Sequence, residues 1–438
     1  MSEIARGLFW LGVHLLLVCA PVVALLVGPT PSGAGFWWDF AMALGFAGMA
    51  MMGVQFLLTA RFKRATAPYG IDIIYYFHRH LAVVAFIMVL AHPGVLLIAY
   101  PGLSGFLHPF RAPWHMAAGV WSVLAVSVVV VSSLWRKRLG IEYDVWRILH
   151  AVLATAALSL ALVHMQGIGY YLAIPWKRGL WIGITASIIA TILYVRVIKP
   201  GRLRRQPYRV THVRPERGGS WTVAVEPHGH EGFTYQPGQF AWLTIGRSPW
   251  AMKEHPFSFS STPTRRGRLE FTIKELGDFT RTIKNVPVGQ TAYVDGPYGA
   301  FTIDRHSAAG YVFIAGGIGI APIFSMLRAL ADRRHQGPLW LVYGNQKWER
   351  APFREALDEL RSALDLRIIH IVQEPPEGWS GEVGLPNKAL LERHLPVARK
   401  DIVYFVCGPT PMLDVIERSL YALGVPLRRV HSELFDLV

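Results

Sequence analysis

The chain is poor in cysteine and in charged residues. It contains two cysteines among 438 residues, Cys19 inside an apolar run and Cys407 beside a Gly-Pro pair. Two such thiols form no disulfide framework, which excludes a small secreted disulfide-rich scaffold. Charged residues make up 17% of the chain and hydrophobic residues 52%. This balance excludes a disordered, collagen-like or ordinary water-soluble protein and predicts a membrane protein.

The few charges are unevenly distributed along the chain. Residues 1–200 hold 14 of the 44 Lys and Arg residues and 5 of the 29 Asp and Glu residues, so the rest of the chain has the composition of a soluble protein. The first 200 residues therefore contribute +9 of the net charge of +15. Basic membrane loops explain this net charge more simply than nucleic-acid binding does, and no nucleic-acid partner is expected.

Long runs with few charges in residues 1–200 predict a transmembrane domain of six helices. Each run is near or above the roughly 20 residues that cross a hydrocarbon core of about 30 Å. A signal peptide is the alternative for the first run, but its apolar stretch is longer, and its basic flank weaker, than such a peptide has. The predicted spans are 7–28, 37–59, 73–100, 114–135, 145–167 and 178–198.

Basic residues cluster after the second, fourth and sixth spans, whereas the other loops have few. By the positive-inside rule, both termini of this multi-pass protein are cytoplasmic. Lys177 and Arg178, on the outer side, are exceptions. The clusters are Arg61, Lys63 and Arg64; Arg136, Lys137 and Arg138; and Lys199, Arg202, Arg204 and Arg205.

Histidines in the predicted spans are candidate functional residues, because ionisable side chains are rare inside membranes. The interval from His78 to His92 on the third span equals the interval from His150 to His164 on the fifth, fourteen positions in each case. Fourteen helical steps of about 100° return to within roughly 40° of the same face after a rise of about 21 Å. The eight histidines of this half are His14, His78, His80, His92, His108, His115, His150 and His164.

These two spans both run outward, so their histidines match in depth. Two matched pairs at two depths are typical of a dihaem column in which each iron is held by one imidazole from each helix. The pattern predicts two b-type haems, an inner one on His78 and His150 and an outer one on His92 and His164. His80 is a weaker candidate, because it lies about 120° around the helix from His92.

Other polar residues of this half have two open interpretations. His108 and His115, near the outer start of the fourth span, either line an acceptor site or are interfacial histidines. A second set either faces haem propionates or anchors the helices at the interface. These cationic residues are Arg79, Arg147, Arg111 and Lys177.

From about residue 205 short alternating segments predict an antiparallel β domain over 205–305. Its predicted strands include 208–211, 221–225 and 240–245. The segment from His255 to Ser261 offers an aromatic ring for a flat cofactor, hydroxyls for its polar edge and a histidine for phosphate. The turn segments at 237–240, 277–280 and 295–299 are weak signals when each is taken alone.

Residues 306–438 alternate strands with helical stretches, as a doubly wound α/β sheet requires. The strand at 311–315 runs into a turn containing Gly316, Gly317 and Gly319, and Pro322 lies in the first turn of the helix that follows. Such a turn exposes backbone N–H groups to a pyrophosphate. A buried turn of small residues is the alternative interpretation.

Three further strands are predicted in this domain, at 339–343, 366–372 and 402–406. The last of them ends in Cys407, Gly408 and Pro409. This position is the carboxyl edge, where open α/β sheets bind their ligands.

Together these features resemble the NADPH oxidase and ferric reductase superfamily. Residues 1–200 are similar to a ferric reductase-like transmembrane domain, and residues 205–438 are similar to a ferredoxin-NADP reductase-type module. The sequence is most similar to the short prokaryotic NADPH oxidase-like proteins, which implies a bacterial inner membrane. The oxidase-like motifs are Tyr76-Phe77-His78 and His255-Pro256-Phe257-Ser258.

The resemblance implies roles for individual residues of the reductase module. In the flavin domain, His255, Pro256, Phe257 and Ser258 would hold FAD, with Ser258 near the reactive N5 edge, and the segment from Gly277 to Thr280 would meet the FAD phosphates. In the nicotinamide domain, the implied binding residues are Gly316, Gly317, Gly319 and Pro322 at the NAD(P)H pyrophosphate, and Cys407, Gly408 and Pro409 beside the nicotinamide.

Glu433 and Phe435 resemble a near-terminal acidic and aromatic pair, in which the aromatic ring stacks on the flavin until nicotinamide displaces it. The candidate catalytic residues are therefore Ser258, Cys407, Glu433 and Phe435. Two departures from the family pattern occur. The flavin motif begins with His255 where soluble reductases carry Arg, which favours the oxidase branch, and three residues follow Phe435.

The resemblance implies a superoxide-generating NAD(P)H oxidase. Cytosolic NAD(P)H would give a hydride to FAD, and single electrons would cross two bis-histidine haems to O2. The alternatives are a ferric-chelate reductase with the same electron path, a haem module that donates to a protein partner, and a transporter with buried histidines. The attached nicotinamide motifs argue against the protein-partner relay.

Nucleotide preference and regulation are only partly indicated. NADPH is the favoured nucleotide, and NADH is the open alternative. Lys347 or Arg350, after the second strand of the nicotinamide domain, could meet a 2′-phosphate. Asn345 and Gln346 accompany them, and solvated loop charges are the alternative. The sequence contains no calcium-binding Asp-x-Asp-x-Asp-Gly loop, so neither calcium control nor a cytosolic activator is expected.

Overall fold

The computed structural model describes residues 3–28, 35–62, 71–265 and 267–434. The chain divides into two compact units, Met1–Lys199 and Pro200–Val438. The first unit is helical, as its apolar runs predict, and the second combines two β-sheets with helices.

The first unit contains long helices joined by short connections. A 3₁₀ segment, Pro101–Leu107, lies between the third and fourth helices, and the sixth continues through a π-helical turn at Tyr194–Ile198 into the short helix α7, Lys199–Arg204. The six long helices are α1 (Glu3–Leu26), α2 (Phe36–Thr59), α3 (Ile71–Ala99), α4 (Trp114–Leu134), α5 (Tyr143–Ile168) and α6 (Pro175–Leu193).

Five of these helices are long and apolar enough to cross a membrane, counting α6 with its continuation to Arg204. Over the described residues α1 supplies only a shorter apolar stretch, Leu11–Leu26, so the sixth span remains a prediction. Large apolar side chains on the outside are exposed, for example Ile98 at 84% and Phe110 at 80%. An exterior of this kind is suited to lipid contact.

The second unit begins with an antiparallel sheet of six strands in the order β4-β3-β6-β1-β2-β5. Its core includes Phe259, Phe271 and Leu243, which are fully buried. The strands are β1 (Tyr208–Glu216), β2 (Ser220–Pro227), β3 (Phe240–Ile245), β4 (His255–Ser258), β5 (Leu269–Lys274) and β6 (Thr291–Tyr298), with the short helix α8 (Asp278–Thr282) between the last two.

A parallel sheet of six strands follows, in the order β10-β9-β8-β7-β11-β12. Its strands are β7 (Gly310–Gly316), β8 (Leu339–Lys347), β9 (Leu366–Glu374), β10 (Glu382–Val383), β11 (Ile402–Gly408) and β12 (Val430–Leu434). Its helices are α9 (Ile320–Asp332), α10 (Arg354–Ala363), α11 (Lys388–His394) and α12 (Thr410–Ala422). The predicted succession of a transmembrane domain, an antiparallel β domain and a nicotinamide-type α/β domain is confirmed.

A row of hydrogen bonds joins helix α9 to residues 260–270 of the antiparallel sheet. The donors and acceptors of α9 are three and four residues apart, so they share one face of the helix. The bonds run from Ser325 to the carbonyl of Ser261, from Arg328 to Glu270 and from Thr262 to Asp332, at 2.5, 2.8 and 2.7 Å. Residues 260–262 are buried, so these bonds form with little competition from water.

Candidate functional site

The structure places the four candidate haem ligands in two facing pairs. The ring centroids of His78 on α3 and His150 on α5 are 6.2 Å apart. Those of His92 and His164, on the same two helices, are 6.4 Å apart. The pairing of residues is the one that the equal spacing on the two helices predicts.

The spacing within each pair leaves room for one metal ion. A bond from a metal to an imidazole nitrogen is about 2 Å long, and the ring centroid lies roughly 1.1 Å behind the nitrogen, so a metal held between two imidazoles separates their centroids by about 6 Å. The observed separations of 6.2 and 6.4 Å match this value. Both pairs therefore fit a bis-histidine haem.

The outer pair has a fixed ring tautomer. The Nδ1 atom of His92 lies 2.8 Å from the carbonyl oxygen of Ala41 on α2, and that of His164 lies 2.9 Å from the carbonyl oxygen of His115 on α4. A carbonyl oxygen only accepts, so each ring donates its Nδ1–H. The Nε2 lone pair of each neutral ring is then available to ligate iron.

On the inner level, His150 has the same tautomer, but a serine hydroxyl lies between its ring and the helix carbonyl. Ser133 Oγ donates its single proton to the carbonyl of Val129 at 2.6 Å. It therefore accepts from His150 Nδ1 at 3.1 Å and from Trp146 Nε1 at 3.3 Å. The fourth ring differs, because His78 Nδ1 is buried and has no hydrogen-bond partner among the residues that the structure describes.

A cavity of about 270 Å³ adjoins the outer pair. Its walls include both imidazoles, His92 and His164, with Val89 and Met49 among the apolar side chains. None of the described residues that line it is charged. Such a lining suits the apolar face of a macrocycle.

The remaining polar candidates of this unit lie in other settings. The His80 ring is exposed, and its Nδ1 lies 2.8 Å from the carbonyl oxygen of Tyr76. His108 is exposed, whereas His115 is half-buried and offers its main-chain carbonyl to His164. Lys177 is buried and donates from Nζ to the carbonyl of Leu25 at 2.6 Å, near the end of α1.

Arg79 and Arg111 are exposed, and Arg147 is half-buried. Their positions leave both sequence-based interpretations open, propionate contact and interfacial anchoring. Lys177 is different, because its ammonium group already caps a carbonyl near the C-terminal end of α1, where a cation is favourable.

The flavin motif forms the edge strand β4. It pairs with β3, so that Ser258 lies opposite Phe240 and His255 opposite Leu243. Ser258 and His255 are buried, while Pro256 and Phe257 are half-buried. The His255 ring stacks on Phe279, with centroids 4.0 Å apart and planes at 11°.

The Gly277 to Thr280 segment opens helix α8. Thr280 Oγ1 accepts the backbone N–H groups of Leu276 and Gly277, both at 2.8 Å. These two donors are therefore already satisfied within the turn. The Phe279 ring, stacked on His255, brings this segment beside β4 as the flavin prediction requires.

The glycine-rich turn and the end of β11 border one cleft of about 1030 Å³. Parallel pairing places Ala315 of β7 opposite Cys407 of β11, so both segments lie at the same sheet edge. Gly319 packs directly against the Cys407 carbonyl, where a β-carbon would overlap that oxygen. The predicted nucleotide residues that line the cleft are Gly316, Gly317, Gly319, Gly408 and Pro409.

Pro322 is buried in the first turn of α9, and Cys407 is buried below the cleft edge. Glu433 lies on β12 directly opposite Cys407, which brings these two catalytic candidates together. Phe435, the fourth catalytic candidate, lies outside the described residues. Its predicted stacking on the flavin remains a prediction.

The candidate 2′-phosphate residues are held in different ways. Lys347 forms an ion pair with Glu374 at 3.1 Å, and Gln346 donates to the same carboxylate at 2.8 Å. Arg350 donates to Gln346 at 3.3 Å and lines the cleft with Asn345 and Gln346. Hydrogen bonds to Lys347 and Gln346 keep the pKa of Glu374 below its usual value, so the carboxylate stays charged.

Three family models match the chain in succession. The ferric reductase like transmembrane component matches residues 44–161, the FAD-binding domain residues 221–302, and the oxidoreductase NAD-binding domain residues 313–418. The matches follow the order of the helical unit, the antiparallel sheet and the parallel sheet.

Curated relatives resemble the reductase part. The chain is 32% identical over 178 residues to NADH-cytochrome b5 reductase 1 of Pyricularia oryzae, covering 39% of this chain and 58% of the relative. It is 28% identical over 236 residues to the reductase component of propane 2-monooxygenase from Rhodococcus jostii, covering 52% of this chain and 62% of the relative. The chain therefore matches less than two thirds of the length of either protein.

Among solved structures, the flavohemoglobin of Malassezia yamatoensis superimposes with a TM-score of 0.50. The match covers 92% of this chain and 100% of that chain at 16% identity. At this identity the likeness concerns the fold alone.

The chain is an oxidoreductase with FAD-binding and NAD-binding domains joined to a membrane module. This combination supports NAD(P)H-driven electron transfer across a membrane. The chain thus has the architecture of the ferric reductase and NADPH oxidase superfamily: a ferric reductase-like transmembrane component followed by FAD-binding and NAD-binding domains.

Proposed function

We propose that this protein is a superoxide-generating NAD(P)H oxidase of a bacterial inner membrane, with both termini in the cytoplasm. The observation that carries the proposal is the pair of facing imidazoles at each of two depths, with centroids 6.2 and 6.4 Å apart. Two such sites at two depths of the membrane unit would provide a path for electrons across the lipid.

The chemistry is divided between the cofactors and the protein. When bound, FAD would accept a hydride and release its electrons one at a time, and two b-type haems would relay single electrons. The protein would supply the imidazole ligands: His78 and His150 on the inner level, His92 and His164 on the outer level. It also supplies Nδ1 acceptors that fix the tautomers of His92, His164 and His150.

The reductase unit orients the two ring systems. The strand β4 presents Phe257 and Ser258 as the flavin contact, and the turn from Gly316 to Gly319 presents main-chain N–H groups to the nucleotide pyrophosphate. Cys407 and Glu433 lie side by side at the edge of the sheet, next to the end of this turn. They are the residues that we assign to the nicotinamide side of the hydride transfer.

Oxygen is the acceptor that we propose, because its one-electron reduction needs no open coordination site on iron. The imidazoles of His78, His150, His92 and His164 would leave no open coordination site on either iron, so an acceptor would be reduced without binding the metal. At the outer level, one-electron reduction of O2 would give superoxide, with no proton required in that step. Molecular oxygen is apolar, as is most of the lining of the outer cavity.

The test uses purified full-length protein supplied with haem, FAD and NADPH. We expect two haem equivalents, a Soret band that shifts on anaerobic addition of NADPH, and cytochrome c reduction that superoxide dismutase suppresses. A colourless protein would refute the haem assignment. Cytochrome c reduction that the dismutase leaves unchanged would refute superoxide as the product.

Ferric-chelate reduction is the second candidate function. The match of residues 44–161 to the ferric reductase like transmembrane component favours it, since the same electron path would serve Fe(III). Parallel assays of superoxide and of ferrous-chelate formation decide between the two. An iron turnover that exceeds superoxide production many-fold in air would favour the reductase.

A further inference from the structure

The two outer imidazoles are hydrogen-bonded to main-chain carbonyls of neighbouring helices. In most helices a side chain four residues later covers such a carbonyl. In a helix each Cα–Cβ bond tilts toward the N-terminus, so the β-carbon of residue i+4 covers the carbonyl of residue i. His92 bonds to the carbonyl of Ala41, and the residue four positions later is Gly45. His164 bonds to the carbonyl of His115, and the residue four positions later is Gly119.

Both glycines are required by the approach of the imidazole. A β-carbon on Gly45 would lie 3.0 Å from His92 Nδ1, and one on Gly119 would lie 2.6 Å from His164 Nδ1. Real side chains avoid the first distance and essentially never adopt the second. The carbonyl and the glycine four residues later therefore act together as one acceptor unit, present once on α2 and once on α4.

The same unit recurs on α4 at the inner level, in a modified form. Val129 and Ser133 follow His115 and Gly119 at the interval that also separates His150 from His164. The serine hydroxyl is inserted between the ring and the carbonyl: it accepts from His150 Nδ1 and donates to Val129. The inner acceptor on α4 is thus a carbonyl with a hydroxyl relay.

Helix α2 carries the fourth copy. Gln55 and Thr59 follow Ala41 and Gly45 at this same interval. Thr59 Oγ1 donates to the carbonyl of Gln55 at 2.9 Å, as Ser133 Oγ donates to the carbonyl of Val129 on α4. A hydroxyl whose proton is used in this way can still accept.

The register of α2 on α3, extended toward the inner end, would bring this copy to the depth of His78. The two helices run antiparallel, since Ala41 contacts His92 and a β-carbon on Gly48 would meet Val89. Continuing this register from His92 back to His78 pairs the latter with Gln55 and Thr59. The His78 Nδ1 atom is buried there without a partner among the described residues, and so are both side-chain amide atoms of Gln55.

Thr59 is one of the described residues, so its bond to His78 is not formed in this structure. We propose that Thr59 becomes the Nδ1 acceptor of His78 when the ring ligates haem, so that all four candidate haem histidines are held by one repeated unit: a helix carbonyl followed four residues later by glycine on the outer level and by a hydroxyl residue on the inner level. The inference rests on the proposed function, because it treats the four rings as haem ligands. Thr59 is a positioning residue, which acts through His78.

The two levels then differ in the group that receives the Nδ1 proton. Hydrogen bonding at Nδ1 raises the basicity of a ligating imidazole and stabilises the oxidised metal. Loss of the acceptor should therefore weaken the binding of the haem and raise its midpoint potential. Thr59 acts on the inner haem alone, whereas Gly45 and Gly119 act on the outer haem alone.

The decisive experiment compares Thr59→Val with Thr59→Ser in full-length protein. For the valine variant we expect haem binding at the inner site to weaken about 10-fold or more, an upward shift of the inner midpoint potential and altered low-spin electron paramagnetic resonance of one haem. The serine variant restores all three readouts. A valine variant with unchanged inner potential and spectrum would overturn the proposal.

Matched controls separate this role from folding. Thr191→Val removes a buried hydroxyl of α6 that makes the same bond, to the carbonyl of Ser187, and we expect both haems to remain unaltered. Ser133→Ala should reproduce the shift of the inner haem. An equal effect from Thr191→Val would show a general loss of packing and would overturn the assignment.

The outer level is tested by Gly119→Ala, with Gly183→Ala on α6 as the control, since a β-carbon at Gly183 meets open space. We expect Gly119→Ala to lose or perturb the outer haem and to leave the inner haem spectrum intact. An unperturbed outer haem would overturn the role of the glycine. A wild-type protein without haem would instead refute the proposed function itself.

Discussion

The two units present their candidate sites with different parts of the chain. In the membrane unit the site consists of four side chains on two helices, and each faces a partner across about 6 Å. In the reductase unit the lining of the nucleotide cleft includes many glycines and prolines, which offer main chain and little side chain. Single substitutions should therefore abolish electron transfer when made at the histidines of the first unit, and only lower its rate when made in the cleft of the second.

The largest effect is expected from removal of one imidazole. His92→Ala should lose the outer haem, halve the haem content and lower NADPH-driven superoxide formation at least 100-fold, because the electron path is then interrupted. Pyridine haemochrome analysis and the superoxide assay measure the two effects.

His80→Ala is the matched control for this variant, because it removes an exposed ring from the same helix. We expect it to retain both haems. Two haems in His92→Ala with an unaltered spectrum would contradict the ligand assignment and remove the contrast between the units.

The next effect concerns the glycine turn. Gly319→Ala places a methyl group against the Cys407 carbonyl, so the turn has to shift away from β11. We expect NADPH-driven flavin reduction to fall about 10- to 100-fold, with the FAD content and the dithionite-reduced haem spectrum unchanged. Stopped-flow reduction kinetics test this, and wild-type rates would show that the turn does not position the nucleotide.

Nucleotide selectivity should respond more weakly. Arg350 lines the cleft, whereas Lys347 is paired with Glu374. Arg350→Gln is expected to raise KM for NADPH about 10-fold and to leave KM for NADH unchanged, as loss of one charge-assisted contact predicts. Lys347→Gln is the control, with an expected change below about 2-fold. The reverse ranking would assign the 2′-phosphate to Lys347.

The smallest expected effect is on the pH dependence of the folding stability of the reductase unit. Burial lowers the pKa of His370 from 6.5 to about 4, and its Nδ1 has no hydrogen-bond partner among the described residues. The unfolded chain therefore binds more protons between these values, and stability falls as the pH drops from about 6.5 to 4.

His370→Phe should reduce the loss of folding stability across that pH window by on the order of 2 kcal/mol. Denaturant unfolding of the full-length protein at several pH values, followed by near-ultraviolet circular dichroism, measures it. An unchanged slope would assign the dependence to other groups, such as His431, whose pKa burial also lowers to about 4.

The sequence predicts the elements that have strong periodic patterns. The strand at Phe240–Ile245 has its predicted bounds, and the others extend beyond theirs, because polar residues such as Gln346 and Lys347 continue β8 past its apolar run. The pairing of His78 with His150 and of His92 with His164 followed from their equal spacing and from the shared direction of the two spans. Side-chain periodicity is visible in a sequence, and depth in the membrane follows from it.

The partners of the histidines were not predicted, because the three Nδ1 bonds that the structure contains among the described residues all involve a main-chain carbonyl, directly or through serine, and a carbonyl has no residue signature. A signal was nevertheless present in the sequence. Gly45 and Thr59, like Gly119 and Ser133, are separated by the same interval as the two histidines on each of α3 and α5. The contact of Lys177 with Leu25 was also missed, since it joins helices far apart in the chain.

The row of bonds along α9 has a consequence for the timing of turnover. Its three links join the helix that follows the nucleotide turn to residues just beyond the flavin strand. Sliding one segment past the other would break all of them together, an event that belongs to slow local unfolding and not to fast loop motion. We therefore expect the two segments to move together, so that the arrival and departure of nucleotide need no hinge between them.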